Sequence, residues 1–279
     1  MIAENEIKAL IALLDDDDTE VLHHVEDKIL SLGEYILPFL TDEFEHNTNT
    51  SVQNKIDNLI HTLQLQVTRE RLKEWVESDT ENLLKGMWIL ANLHNPKLSY
   101  EDLSEKIEQL YYSIWLHFRE GLNPYDQIKI LNFLLFEEFG LEPNTQNFHS
   151  PHNNFIDEVL ENKKGNPITL SVIYLLMAQK LQLPIFGVNL PNIFVLIYAS
   201  PQKTFYINVF NKGLIFSRAD IDNYIQQLGL EQHPAFYSPC SHSEILKRIC
   251  RNLILAYEKL EQNTKKEAFQ ELLAILEEN

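Results

Sequence analysis

Residues 165–213 read GNPITLSVIYLLMAQKLQLPIFGVNLPNIFVLIYASPQKTFYINVFNKG, and this stretch decides the fold. Gly165 lets the chain turn, Asn166 is a good N-cap and Pro167 suits the first position of a helix. The helix that follows is apolar nearly all round, the mark of an element buried in a core. Three short strand-like runs come next, and a tight turn closes the stretch at Gly213. Charged helices flank it on both sides. The expectation is an α+β protein, predominantly helical, with a small antiparallel sheet. A helix start carries partial positive charge, so an anion or a thiolate is stabilised there. Any active site, or the remains of one, is expected at this place.

Working toward the N-terminus, the periodicity predicts helices over roughly 124–138, 99–119, 69–92 and 51–64. Asn95-Pro96, Gly121 and Asn123-Pro124 punctuate the junctions between the later ones. Residues 4–45 read as a helical hairpin. Ile7, Leu10, Ile11 and Leu14 keep helical spacing, the run Asp15–Asp18 interrupts it, and Val21, Val25, Ile29 and Leu32 resume it before Gly33. Aspartates just before a helix cap it and complement its dipole. The spaced acidic ligands and glycine of a calcium loop are missing. The pattern resembles a single HEAT-type repeat, expected as a cap over residues 1–66.

Residues 140–152, GLEPNTQNFHSPH, read as a loop. His149 and His152 have a metal-like spacing, but a zinc site would want more ligands nearby and neither cysteine is close in the sequence, so no metal site is expected. Asn153–Asn162 reads as a short helix with Phe155, Val159 and Leu160 inward. After the central stretch, Ser217 caps a helix that runs to Gly229. Helices over 241–260 and 264–277 look like a hairpin of the tetratricopeptide kind, assigned to residues 231–279.

The chain has 279 residues, 41 acidic against 23 basic, for a formal charge of −18. That field repels phosphate backbones and anionic lipid, and no basic patch offsets it, so neither nucleic acid nor membrane is an expected partner. The two cysteines, Cys240 and Cys250, do not form a disulfide framework; reduced thiols are the reading. The N-terminal residues carry no signal-peptide pattern and no apolar run is long enough to span a bilayer, so a cytoplasmic location is expected.

The runs Leu131–Asn144 (LNFLLFEEFGLEPN), FHSPHNNFIDEVLENKKG and the central stretch together resemble a known family. Landmarks in register include Asn154, Val159-Leu160, Gly165, Pro167-Ile168, Tyr174, Leu183-Pro184, Gly187-Val188, Pro191, Phe194, Phe210-Asn211 and Gly213. On these the chain resembles the degenerate transglutaminase-like core of bacterial invasion-regulator (Sir B-type) proteins. The match is dense over 153–213 and assigns residues 67–230 to that domain. The resemblance implies a papain-like arrangement, with a nucleophilic cysteine at a helix start and a histidine and an aspartate from adjacent strands.

Carried over position by position, that triad falls on Pro167, Ile193 and Asn208, where thiol, imidazole and carboxylate are all absent. No catalytic residue and no cofactor are therefore expected. Asn166, Thr169, Asn189, Asn192, Asn208 and Asn211 are the candidates to line the old cleft. The function expected is a non-catalytic binding or scaffold protein whose partner is another protein or a peptide. The alternative is a hydrolase or acyltransferase of the same ancestry with a relocated nucleophile, drawn from Cys240 with His242, or from Thr169 or Ser171. A purely structural subunit, its cleft collapsed onto Ile193, is a third reading.

Overall fold

The computed structural model describes residues 4–16, 18–119 and 121–278. They fall into two compact units, Met1–Lys73 and Glu74–Asn279. In the first, α1 (Glu4–Ala12), α2 (Thr19–Ser31), α3 (Leu37–His46) and α4 (Thr50–Ser78) supply a core that includes Ile7, Leu14, Ile29, Leu40, Ile56 and Leu63. Asp18 caps α2 by accepting from the Glu20 amide at 2.9 Å; Asp17 lies outside the described residues. Gly33, at a φ of 58°, ends α2's neighbourhood in the left-handed region where a side chain is strained.

The helix boundaries depart from expectation here. The break expected near 65–68 is absent and α4 runs through it, because QLQVTRE holds neither proline nor glycine to stop a helix. The break falls later, where Asn82 caps α5 (Leu83–His94) through the Lys85 amide and accepts the Trp75 indole on its carbonyl.

In the second unit, α6 (Tyr100–Trp115) and α7 (Pro124–Asn132) lead into a π-helical turn, Phe133–Glu138. Strand β1 (Glu142–Pro143) pairs in parallel with β2 (Lys164–Gly165), on either side of the short helix α8 (Ile156–Asn162). Then comes α9 (Pro167–Lys180), buried without interruption from Ile168 to Ala178. Fully burying each of its leucines, isoleucines and valines contributes about 1.5–3 kcal/mol, so this helix anchors the unit.

Helix α9 packs against an antiparallel sheet of order β3-β4-β5-β6. Its strands are Ile185–Asn189, Phe194–Ala199, Thr204–Asn208 and Leu214–Phe216. The fourth, three residues past the tight turn, extends the three-strand expectation. The other sheet face, with Val188, Val195, Ile197 and Tyr206, is covered by Ile221 and Ile225 of α10 (Arg218–Gln227). Because β4 is covered on both sides, its residues Phe194–Tyr198 are all buried, which is why FVLIY reads as one apolar run rather than an alternation. Ser217 and Asp220 form a reciprocal capping box at the start of α10.

Helices α11 (His242–Lys259) and α12 (Asn263–Glu277) pack on each other, and α11 also packs on β3 and on the turn Pro151–Asn154. Among the described residues no helix is long and apolar enough to cross a membrane.

Candidate binding site

The start of α9 is held by side chains. Asn166 is buried; its oxygen accepts from the Thr169 amide at 3.0 Å and its amide donates to Asn154 Oδ1 at 2.7 Å. Asn144 donates to Asn153 Oδ1 at 2.8 Å, and Asn153 donates to the carbonyls of Asn147 and Phe148 at 2.7 and 3.1 Å. These buried amides fix the loop that carries Phe148 and His149. A buried amide without partners costs about 1–3 kcal/mol, so the network is stabilising only because it is complete.

A pocket of about 90 Å³ opens at this helix start. Pro167, Asn166 and Ile168 form its base, Asn154 and the Phe148–His149 loop one side, Asn192 and Phe194 another, and Arg248 and Asn252 of α11 the last. Asn192 takes a φ of 61°, a left-handed conformation that asparagine tolerates better than most residues, and so turns the chain between β3 and β4 beside the pocket. Arg248 donates to Asn189 Oδ1 and, at 2.6 Å, to the Leu190 carbonyl, which holds its guanidinium at the rim.

Of the residues expected in a cleft, Asn166, Asn192 and Pro167 meet at this pocket, and Asn189 orients Arg248. Thr169 is fully buried and its hydroxyl has no protein partner. Asn208 caps the turn Val209–Asn211 by accepting from the Asn211 amide at 3.1 Å; neither lines the pocket. Ile193 packs into the apolar cluster beneath α10 with Leu190 and Val195.

His149 is exposed on a turn within the loop expected there and also borders the pocket, while Arg248 and Asn252 were missed altogether. The asparagines flanking the His149 loop were a usable signal for it. Arg248 and Asn252 had none, since a polar position on an amphipathic helix gives no sign of what it faces.

Among the described residues, no cysteine, serine, threonine, aspartate or glutamate lines the pocket. Burial pushes the Cys240 thiol up to about 11 and the Cys250 thiol up to about 12, far from the thiolate state a nucleophile needs. His242, the expected partner of Cys240, has Nδ1 on the Thr80 carbonyl at 2.9 Å and Nε2 on the Gln179 amide at 3.0 Å. Ser171 donates to the Pro167 carbonyl at 2.7 Å. The arrangement at the pocket can donate hydrogen bonds and present positive potential.

The profile of the transglutaminase-like superfamily matches residues 101–251, more than half of the chain. The chain belongs to the transglutaminase-like superfamily. A UPF0162 protein of Xylella fastidiosa (strain 9a5c) is 29% identical over 175 residues, 60% of this chain and 58% of its own length. A UPF0162 protein of Vibrio cholerae is 25% identical over 138 residues, 49% of this chain and 51% of its own. F-box only protein 21 of Mus musculus is 22% identical over 228 residues, 70% of this chain and 36% of its own. The chain thus spans little more than half the length of these bacterial relatives. No solved structure matches it.

Proposed function

We propose that this chain is a non-catalytic binding protein whose transglutaminase-like domain has lost the Cys-His-Asp triad and holds a segment of a partner protein or peptide at the pocket beside Pro167. The observation that carries the reading is the lining: proline stands at the helix start, and Arg248, His149, Asn192 and Asn252 surround it in place of reactive groups. A volume of about 90 Å³ fits one short side chain of an extended segment. Donors from arginine and amides beside a positive helix end favour a side chain ending in an amide or a carboxylate. On its landmark residues the domain is assigned to the invasion-regulator (Sir B-type) branch. Residues 1–66 are read as a HEAT-like cap and 231–279 as a tetratricopeptide-like hairpin, both surfaces for the same partner.

The test has two arms. Selection of random displayed peptides against the full chain is expected to enrich segments whose affinity falls roughly tenfold or more when Asn252→Trp fills the pocket. Incubation with peptide, amide and ester substrates is expected to give no turnover. Peptides that bind the filled variant equally well, or turnover above that of the denatured chain, overturn the reading.

A further inference from the structure

His94, His152 and Glu158 are far apart in the chain, and the fold brings them together. His94 ends α5, His152 lies in the turn Pro151–Asn154, and Glu158 stands in the first turn of α8. Glu158 Oε1 is 3.4 Å from His94 Nε2 and 3.3 Å from His152 Nδ1, and the three ligand atoms lie within 4.8 Å of one another. Two ligands each about 2.0–2.1 Å from a tetrahedral zinc ion stand roughly 3.3–3.4 Å from each other. Both nitrogen-to-oxygen edges therefore already have the length a tetrahedral site requires. His152, 58% exposed, is free to turn and adjust the third edge.

The surroundings fix the ligands as metal sites do. The His94 ring stacks flat on Phe155, with centroids 4.3 Å apart, which sets its plane. Asn162 donates to Glu158 Oε2 at 3.1 Å and leaves Oε1 turned to the imidazoles. Next to Glu158, Asp157 is buried; Asn95 donates to one of its oxygens and the other has no protein partner, which adds negative potential nearby. Lys265 of α12 opposes a cation, since its charge reaches His94.

We propose that His94 Nε2, His152 Nδ1 and Glu158 Oε1 bind one zinc ion, with water or a partner's donor in the fourth position. Such an ion ties the end of α5 to α8 and to the turn that follows the Phe148–His149 loop.

The experiment uses the full chain, stripped with chelator, titrated with Co²⁺ in visible spectroscopy and with Zn²⁺ in calorimetry. One equivalent of Co²⁺ is expected to give the intense visible bands of a four-coordinate ion, and Zn²⁺ to displace it. His152→Ala, at an exposed position and expected to leave the circular dichroism unchanged, and Glu158→Gln are expected to weaken binding roughly tenfold or more. Lys265→Gln is expected to tighten it, and His46→Ala, in the other unit, to leave it unchanged. Only the weak bands of six-coordinate cobalt, or an affinity that His152→Ala and Glu158→Gln leave unaltered, overturns the proposal.

Discussion

The side-chain amide of Asn132 donates to the Gly213 carbonyl at 3.0 Å and occupies the space that a Cβ at position 213 would need. Asn132 Oδ1 meanwhile accepts from the hydroxyl of Tyr174, a fully buried residue of α9. One amide thus joins α7, α9 and the turn between β5 and β6. Gly213 also has a φ of 73°. Gly213→Ala meets both the left-handed strain and the overlap with Asn132, together about 2–5 kcal/mol. Urea unfolding of the variant is expected to show that loss as a lower midpoint with an unchanged slope.

Asn166→Ala removes the cap of α9 and leaves Asn154 Oδ1 buried without its donor. Loss of a cap costs about 1 kcal/mol and an orphaned buried acceptor about 1–3 kcal/mol more. Stability is expected to fall by roughly 2–4 kcal/mol. Hydrogen exchange at the amides of Thr169 and Leu170 is expected to speed up more than at the middle of α9. Equal change along the whole helix would argue against a local cap role.

The native thiols are expected to resist alkylation. At pH 8 both Cys240 and Cys250 stay protonated, since burial pushes them up to about 11 and about 12. The unfolded chain ionises its thiols near pH 8.5, so this contribution to stability is whole below that pH. It falls as pH rises from there through the folded values. Iodoacetamide labelling at pH 8 is expected to be slow in buffer and fast in urea, with thermal stability declining above about pH 9.

Placing cysteine, histidine and aspartate at 167, 193 and 208 tests whether the fold brings these three positions together. Pro167→Cys places a thiol at the start of a 14-residue helix beside Arg248, where its pKa is expected below the ordinary value of about 8.5. Adding Ile193→His and Asn208→Asp is expected to change that pKa little. Ile193 sits in the cluster under α10 and Asn208 caps its own turn, so neither new group reaches the thiol. Alkylation rate against pH checks this. A further shift of a full unit in the triple variant would show that the imidazole does reach.

Much of the second unit could be read from the chain because its signals are local. Asn166-Pro167 fixes where α9 begins, the all-round apolarity of 168–178 says it is buried, and Ser217 with Asp220 marks the next helix start. The continuous helix α4 was hidden because the polar Gln64, Gln66 and Thr68 imitate a break without the proline or glycine that makes one. The site was half legible. Asn166, Pro167 and Asn192 lie in the run that also carries the family likeness. Arg248 and Asn252 reach the pocket only because α11 packs across β3, a long-range contact with no local signature. The pairing of His94 with His152 and Glu158 has the same origin: each residue looks ordinary on its own helix or turn.

The pocket's last wall has a bearing on how such a domain can be inherited. The superfamily match stops at residue 251, inside α11, so it divides Arg248 from Asn252 although both face the same helix start. A segment cut at that boundary would carry the pocket without the side that Asn252 supplies. The segment that travels as a working unit must carry α11 whole.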